Sequence, residues 1–414
     1  MKYNKYISMF QKIYAANERK MAIAATKEMG ERTMQNKELR QWCFAEQENF
    51  LKDLCTLVET ESPTGDAEGS EKMTERMGSW LRELGAEVRI LQTPVGCYNL
   101  VAVFKGEGTR KILLNAHADT VFKKGTLESN PFRVEDGKVY GPGCIDCKGG
   151  LVLGVYALRF LKKLNFKDYE QITFVMNADE ETGSENSKEL IMEQAKIHDL
   201  AIVLEAAKPD HGACIGRKGL GSAIIEVNGK SVHAARASQG ANALEELAHQ
   251  VMAFRTLGDE NKGTAVNVTV FSAGEVANTI PDYAMAKVDI RVDDTTEFDR
   301  IEREAAVLVA NTIIPGTQVT FSLKAHPAFP KNYASIALAK QLEQIYTAIG
   351  VKMLTVTSPG VSDANYIASV GTPVIDGMSF VGMNAHTKDE VGYLDSLPDA
   401  LFALTKFLMC VQKP

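Results

Sequence analysis

An α/β architecture with a mainly parallel sheet, interrupted by a smaller α+β unit, is the fold class this sequence predicts. Three observations carry it. Continuous apolar runs at residues 172–177 (ITFVMN) and 200–205 (LAIVLE) read as strands buried on both faces of a sheet. Such runs alternate with helical segments, the rhythm of layered α/β folds. Between residues 216 and 325 the order changes to β-α-β-β-α-β, a ferredoxin-like pattern inserted into the larger unit.

The elements follow in chain order. Residues 1–45 read as an extra N-terminal helical segment, with Tyr6, Met9, Phe10, Ile13 and Tyr14 near helical spacing and Gly30 as a break. Helices are expected at 46–57 and 70–84, the second ending before Gly85, where a left-handed residue belongs. Short strands at 99–104 and 111–116 precede an apolar helix at 151–164. The inserted unit has strands at 219–227, 266–273, 284–292 and 318–325, with helices at 241–257 and 296–312. Afterwards come a helix at 335–349, a strand at 370–375 and a closing helix at 395–411. The first domain, residues 1–215, therefore resumes at 326–414 around an inserted domain at 216–325.

Composition narrows the function. A chain of 414 residues has room for two or three domains. Lysine and arginine number 46 against 53 acidic residues, a net charge of −7 with no basic tract. That argues against nucleic acid and anionic membrane surfaces as partners. The apolar runs at 112–114 and 151–155 fall far short of the roughly 20 residues that span a bilayer. Seven thinly spread cysteines give no disulfide framework, and residues 1–25 do not read as a signal peptide. A cytoplasmic location is the expectation.

Histidines and carboxylates gather at the carboxyl ends of the expected strands, where open α/β sheets place their ligands. His117 and Asp119 follow one strand, Glu180 and Glu181 another, and Glu205 ends a third. Asp146 sits in the glycine-rich loop 141–150 (GPGCIDCKGG), and His386 in a late loop (MNAHT). Imidazole nitrogen and carboxylate oxygen are the ligands of catalytic zinc, and one carboxylate can bridge two ions. Of two adjacent glutamates, one can bind metal while the other stays free as a base. Blander readings compete. Residues 179–181 could be a solvated charge run, but they follow an apolar strand and precede Thr-Gly. The glycine-rich loop lacks the spacing of a P-loop. Cys144 and Cys147 form a C-x-x-C pair without a second pair at zinc-finger spacing, and read as loop packing. His198, His211 and His249 fall in no ligand pattern and read as structural.

Four motifs in register, NAHADTV at 115–121, the loop 141–150, DEETG at 179–183 and SDAN at 362–365, resemble the dinuclear zinc metallopeptidases. That family includes aminoacylase, acetylornithine deacetylase, succinyl-diaminopimelate desuccinylase and glutamate carboxypeptidase. The resemblance runs from about residue 48 to the C-terminus. It is strongest to the glutamate carboxypeptidase branch, through Glu180-Glu181, GKSVH at 229–233 and NTIP at 278–281.

The resemblance implies two zinc ions per subunit, with manganese or cobalt as substitutes. Asp146 would bridge them, His117 and Glu205 completing one site, Glu181 and His386 the other. It makes Glu180 the general base and has Asp119 orient His117. It also implies a cis peptide after Asp146, where the neighbouring cysteines depart from the usual loop. The inserted domain would be a lid and dimerisation module whose His233 reaches the partner subunit's substrate. Asn278, Arg291, Gly360 and His326 would lie on the substrate side. His326 stands where the glutamate carboxypeptidase branch has an arginine, so strict glutamate specificity is not implied. The expected activity is cleavage of an amide at the C-terminal residue of a small peptide or N-acyl amino acid. Deacylase and dipeptidase are the alternatives within the family. A non-catalytic binding homologue, the rival from another class, predicts a lost ligand or base, and the sequence keeps all of them.

Overall fold

The computed structural model describes residues 36–414. The helix expected over the N-terminal segment lies outside the described residues, except that 36–45 are helical.

The larger sheet is built from β1 (Glu87–Gln92), β2 (Tyr98–Lys105), β3 (Lys111–His117), β4 (Gln171–Asn177), β5 (Leu200–Val203) and, far along the chain, β10 (Val374–Ile375). Their order is β1-β2-β4-β3-β5-β10. Strands β4, β3, β5 and β10 run parallel, while β2 pairs antiparallel with both β4 and β1. In β3 and β4 every residue after the first is buried, as their unbroken apolar runs demand. Helix α1 (Lys148–Lys163) lies on this sheet and buries Leu151, Val152, Val155 and Leu158. Each such side chain removed from water contributes about 1.5–3 kcal/mol. The glycines of the helix permit the approach. A Cβ on Gly150 would stand 2.0 Å from the Leu204 carbonyl oxygen, and one on Gly154 2.8 Å from the Phe174 ring. The loop that carries Asp146 is thereby brought against the carboxyl ends of the strands.

Strands β6 (Gly219–Asn228), β7 (Ala265–Ala273), β8 (Tyr283–Val292) and β9 (Gln318–His326) form a second sheet, antiparallel throughout, in the order β7-β8-β6-β9. Alternation of buried and open positions along β6 and β8 gives the sheet one apolar face. Two of the helices following these strands, Ala243–Phe254 and Thr296–Ala310, cover that face. A separate core results, including Ile225, Leu247, Phe254, Ile290, Phe298 and Ile301. Where the chain enters and leaves this unit, Arg217 and Phe329 exchange two backbone hydrogen bonds of 2.7 and 2.9 Å. Val270 and Phe271 lie exposed on β7, the edge strand.

Three expectations about elements need correction, and one strand was not expected. Strand β1 (EVRILQ) is an exposed edge strand with no apolar run to announce it. The strand expected at 370–375 shrinks to Val374–Ile375, because a helix occupies Asp363–Ser369 and Val370 caps it. Helix α1 begins at Lys148, not residue 151. Strand β5 stops at Val203, so Glu205 lies just beyond its end. A further small sheet joins Gly382–Met383, Val391–Tyr393, Lys138–Tyr140 and Arg133–Glu135. Its strands have two or three residues each, too short for any periodicity to show.

Candidate metal centre

His117 ends β3 and is fully buried. Its Nε2 lies 3.0 Å from Asp146 Oδ1 and 3.5 Å from Glu205 Oε1. The opposite ring nitrogen, Nδ1, lies 3.0 Å from the Asp119 carbonyl oxygen and 3.3 Å from Asp119 Oδ1. His386 approaches from the late loop, with Nε2 3.1 Å from Asp146 Oδ2 and 2.9 Å from Glu181 Oε2. Each oxygen of Asp146 therefore faces a different histidine. Five of the expected residues, His117, Asp146, Glu181, Glu205 and His386, converge here, from loops and strand ends distant in sequence.

Asp119 is tied down on both oxygens. Oδ1 accepts the Glu180 N–H at 3.1 Å, and Oδ2 accepts the Glu181 N–H at 3.2 Å and the Thr64 hydroxyl at 2.7 Å. One carboxylate thus orients His117 and also fixes the turn bearing both glutamates. The peptide between Asp146 and Cys147 is cis. Cys144 and Cys147 are buried free thiols that donate to the carbonyls of Val139 and Leu204. Cys147 also lies close enough to His117 and Glu205 to count among the potential donor atoms.

Electrostatics at the centre are lopsided. Burial pushes the Glu180 carboxyl well above its usual range. Burial, with the Asp146 charge beside it, lifts Glu205 to about 7. Asp146 is the opposite case: despite its burial, contacts with His117 and His386 hold it well below the usual range. Its hydrogen bonds to Asp146 and Glu181 raise His386 to about 10. Five carboxylates thus crowd around two imidazoles in a poorly solvated place. An imidazole-carboxylate donor set with excess negative charge suits divalent cations. The groups His117, Asp146, Glu181 and His117, Cys147, Glu205 each bring their donor atoms within 4.8 Å of one another.

Beside the centre lies a cavity of about 450 Å³ whose walls include Glu180, Glu181, Arg291, His326, Gly360 and His386. Arg291 is paired with Asp289 and donates to the Pro359 carbonyl. His326 is buried and packs on Tyr366, ring centroids 4.1 Å apart, and burial lowers its pKa to about 4. His326 thus presents a neutral ring to the cavity. His233 and Asn278 stand elsewhere. His233 lies in a ribbon pairing Val232–His233 with Thr279–Ile280, Asn278 precedes the second strand and accepts the Ala234 N–H, His233 is exposed, and neither forms part of the cavity wall.

Several residues escaped the sequence reading. Arg217 reaches Asp376 at 2.5 Å and donates to the Ser358 hydroxyl and the Gly360 carbonyl, holding the loop that floors the cavity. Asp376 directly follows β10, so its place at a strand's carboxyl end was a usable signal. Glu390 is completely buried and accepts backbone hydrogen bonds from Gly143, Ile145 and Asp146. In the sequence it looks like the end of a polar run, HTKDE at 386–390, with nothing to mark it as buried.

Residues 113–409 match the family described as Peptidase family M20/M25/M40. The chain belongs to the M20 peptidase family. As an M20 protein it is a metallo-amidohydrolase, and membership implies the use of divalent metal. Carboxypeptidase G2 of Pseudomonas sp. (strain RS-16) is 32% identical over 372 residues, covering 88% of this chain and 89% of the relative. Acetylornithine deacetylase of Photorhabdus laumondii is 30% identical over 244 residues, 54% of this chain and 61% of the relative. Among solved structures, a tripeptidase from Staphylococcus aureus superposes with a TM-score of 0.71 at 22% identity, covering 88% of this chain and 98% of its own. An M20 metallo-carboxypeptidase from Sulfolobus solfataricus gives 0.72 at 17% identity, covering 87% and 98%. These two structures bear on the fold alone. The α/β class and the family resemblance read from the sequence both hold. No helix among the described residues is long and apolar enough to cross a membrane.

Proposed function

We propose that this M20 enzyme is a carboxypeptidase-type hydrolase acting at the C-terminal residue of a small peptide or an N-acyl amino acid, with two zinc ions held on Asp146. The observation that carries the reading is Asp146 itself, whose two oxygens each face a separate histidine with its own carboxylate partner. His117 and Glu205 would complete one site, Glu181 and His386 the other. Bound ions would supply polarisation of the scissile carbonyl and acidification of a water. Glu180, raised by burial and lying in the cavity wall, takes the proton from the attacking water and passes it to the leaving nitrogen. Asp119 holds the His117 ring so that Nε2 faces the centre. Arg291 offers a guanidinium to the substrate carboxylate, and Gly360 supplies a wall without a side chain.

Similarity to carboxypeptidase G2 over most of both chains favours the carboxypeptidase reading over a deacylase or dipeptidase. The test is a screen of N-acyl amino acids and dipeptides against protein stripped with chelator and reloaded with zinc, manganese or cobalt. Cleavage of substrates with a free C-terminal carboxylate, lost when that carboxylate is amidated, is the expected result. Indifference to amidation would contradict the reading. The pocket around His326 carries a neutral imidazole, so glutamate has no dedicated cationic partner there. His326→Arg should raise the kcat/KM ratio of C-terminal glutamate over leucine by about tenfold, the worth of one charge-assisted hydrogen bond. An unchanged ratio would remove His326 from the specificity pocket.

Residues 216–325 would act as a lid and dimerisation module on a catalytic domain of 1–215 and 326–414. His233 and Asn278 lie outside the cavity of their own chain, which supports delivery to a partner subunit's site. Exposed Val270 and Phe271 on edge strand β7 offer a seam. Mixing Glu180→Ala and His233→Ala variants under subunit exchange should restore partial activity, because one site of the mixed dimer then has both groups intact. Proven exchange without recovery would rule the arrangement out. Seven free cysteines accord with the cytoplasm as its compartment.

A further inference from the structure

We propose that Glu390 is a positioning residue that sets the His386 side of the metal centre, by clamping the Asp146 loop to the His386 loop through a single buried carboxylate. The proposal rests on the two-ion reading above. Glu390 Oε2 accepts the Gly143 N–H at 2.9 Å, and Oε1 accepts the N–H groups of Ile145 at 2.9 Å and Asp146 at 3.2 Å. These donors surround and include the residue that faces both histidines. Glu390 belongs to the same turn as His386, its own N–H donating to the Thr387 carbonyl at 3.1 Å. Strand Val391–Tyr393 then pairs with Lys138–Tyr140, which leads into the Asp146 loop. The carboxyl is wholly buried, as is Lys148, which donates to the Thr60 carbonyl. A buried carboxyl whose two oxygens accept three backbone N–H groups is fixed in place.

The two halves of the centre depend on this clamp unequally. His117 and Glu205 are carried by β3 and by the segment just past β5, both anchored in the parallel sheet. His386 has no such anchor. It sits in a loop between two very short strands, at a φ of 66°, with its side chain 55% exposed. Its ring contacts are Asp146 and Glu181 across the gap that Glu390 bridges. Removing the clamp therefore loosens the His386–Asp146 spacing and spares the His117–Glu205 side.

Zinc titration of chelator-stripped protein by calorimetry tests this without recourse to activity. Wild type should bind two ions per chain, one of which is lost in His386→Ala. Loss of a supporting hydrogen-bond partner costs about 10–100-fold in metal affinity. Glu390→Gln, which keeps one acceptor oxygen but sets an amide against a backbone N–H, should weaken that same ion about tenfold. Glu390→Ala should weaken it about 100-fold, and the other ion should stay within about threefold in both variants. Circular dichroism and thermal unfolding of the stripped proteins report the fold, and if the alanine variant does not fold the glutamine variant decides. Equal weakening of both ions, or no weakening in a folded variant, overturns the proposal. A wild type that binds one ion contradicts the two-ion reading instead. Glu390 is then judged on that ion, whose unchanged affinity in Glu390→Gln overturns its positioning role.

Discussion

Glu180→Gln should lower turnover by about 10²–10⁴-fold while leaving metal content intact, the size expected for a lost proton shuttle. The substitution keeps shape and burial but removes the site that accepts a proton. Among the described residues, Glu180 forms no ion pair with His117 or His386, whose carboxylate partners are Asp119, Asp146, Glu205 and Glu181. Its backbone N–H rests on Asp119, and its side chain lies in the cavity wall. Glu181, the next residue, points instead at His386, with Oε2 2.9 Å from Nε2. Glu181→Ala should therefore lower metal occupancy, with activity falling in proportion and recovering partly at high metal concentration. Steady-state kinetics and metal analysis on the same preparations separate the two phenotypes. If Glu181 proved the pure kinetic variant and Glu180 the metal-deficient one, the assignment of these neighbours would be reversed.

Asp146→Ala should remove both ions and all measurable turnover. No other side chain in the centre faces both histidines, so its loss takes a donor from each half at once. The affinity loss should exceed the 10–100-fold that follows removal of a mere supporting partner. Asp146→Asn gives a sharper version, because its amide keeps one oxygen and replaces the other with an NH₂ donor that cannot bind a cation. That variant should hold at most one ion, weakly. Metal analysis after dialysis against trace zinc, with circular dichroism to verify folding, checks both. Retention of two ions by the alanine variant would show that the ligands lie elsewhere.

Much of the fold was legible because buried parallel strands must be apolar on both faces. The runs at 111–116 and 172–177 therefore matched β3 and β4 to within a residue. Likewise, the strand-and-helix order read between residues 216 and 325 matched the second sheet and its two helices. What could not be read was of two kinds. Strand β1 is an exposed edge, and the small sheet around Tyr140 and Val391 consists of two- and three-residue strands, so neither leaves a pattern. At the site, ligand-type residues were visible because histidine and carboxylate at strand ends are chemically conspicuous. Residues acting through backbone contacts were not. Glu390 and Arg217 are ordinary charged residues in sequence, and only the fold buries them against the loops they hold; Asp376 alone, at a strand's carboxyl end, left a usable signal.

The central claim, that two divalent ions share Asp146, is tested most directly by anomalous diffraction from crystals of zinc-loaded protein. Two zinc peaks flanking the Asp146 carboxylate are predicted, one beside His117 and Glu205 and one beside Glu181 and His386. A single peak in fully active protein, or zinc bound away from Asp146, would contradict it.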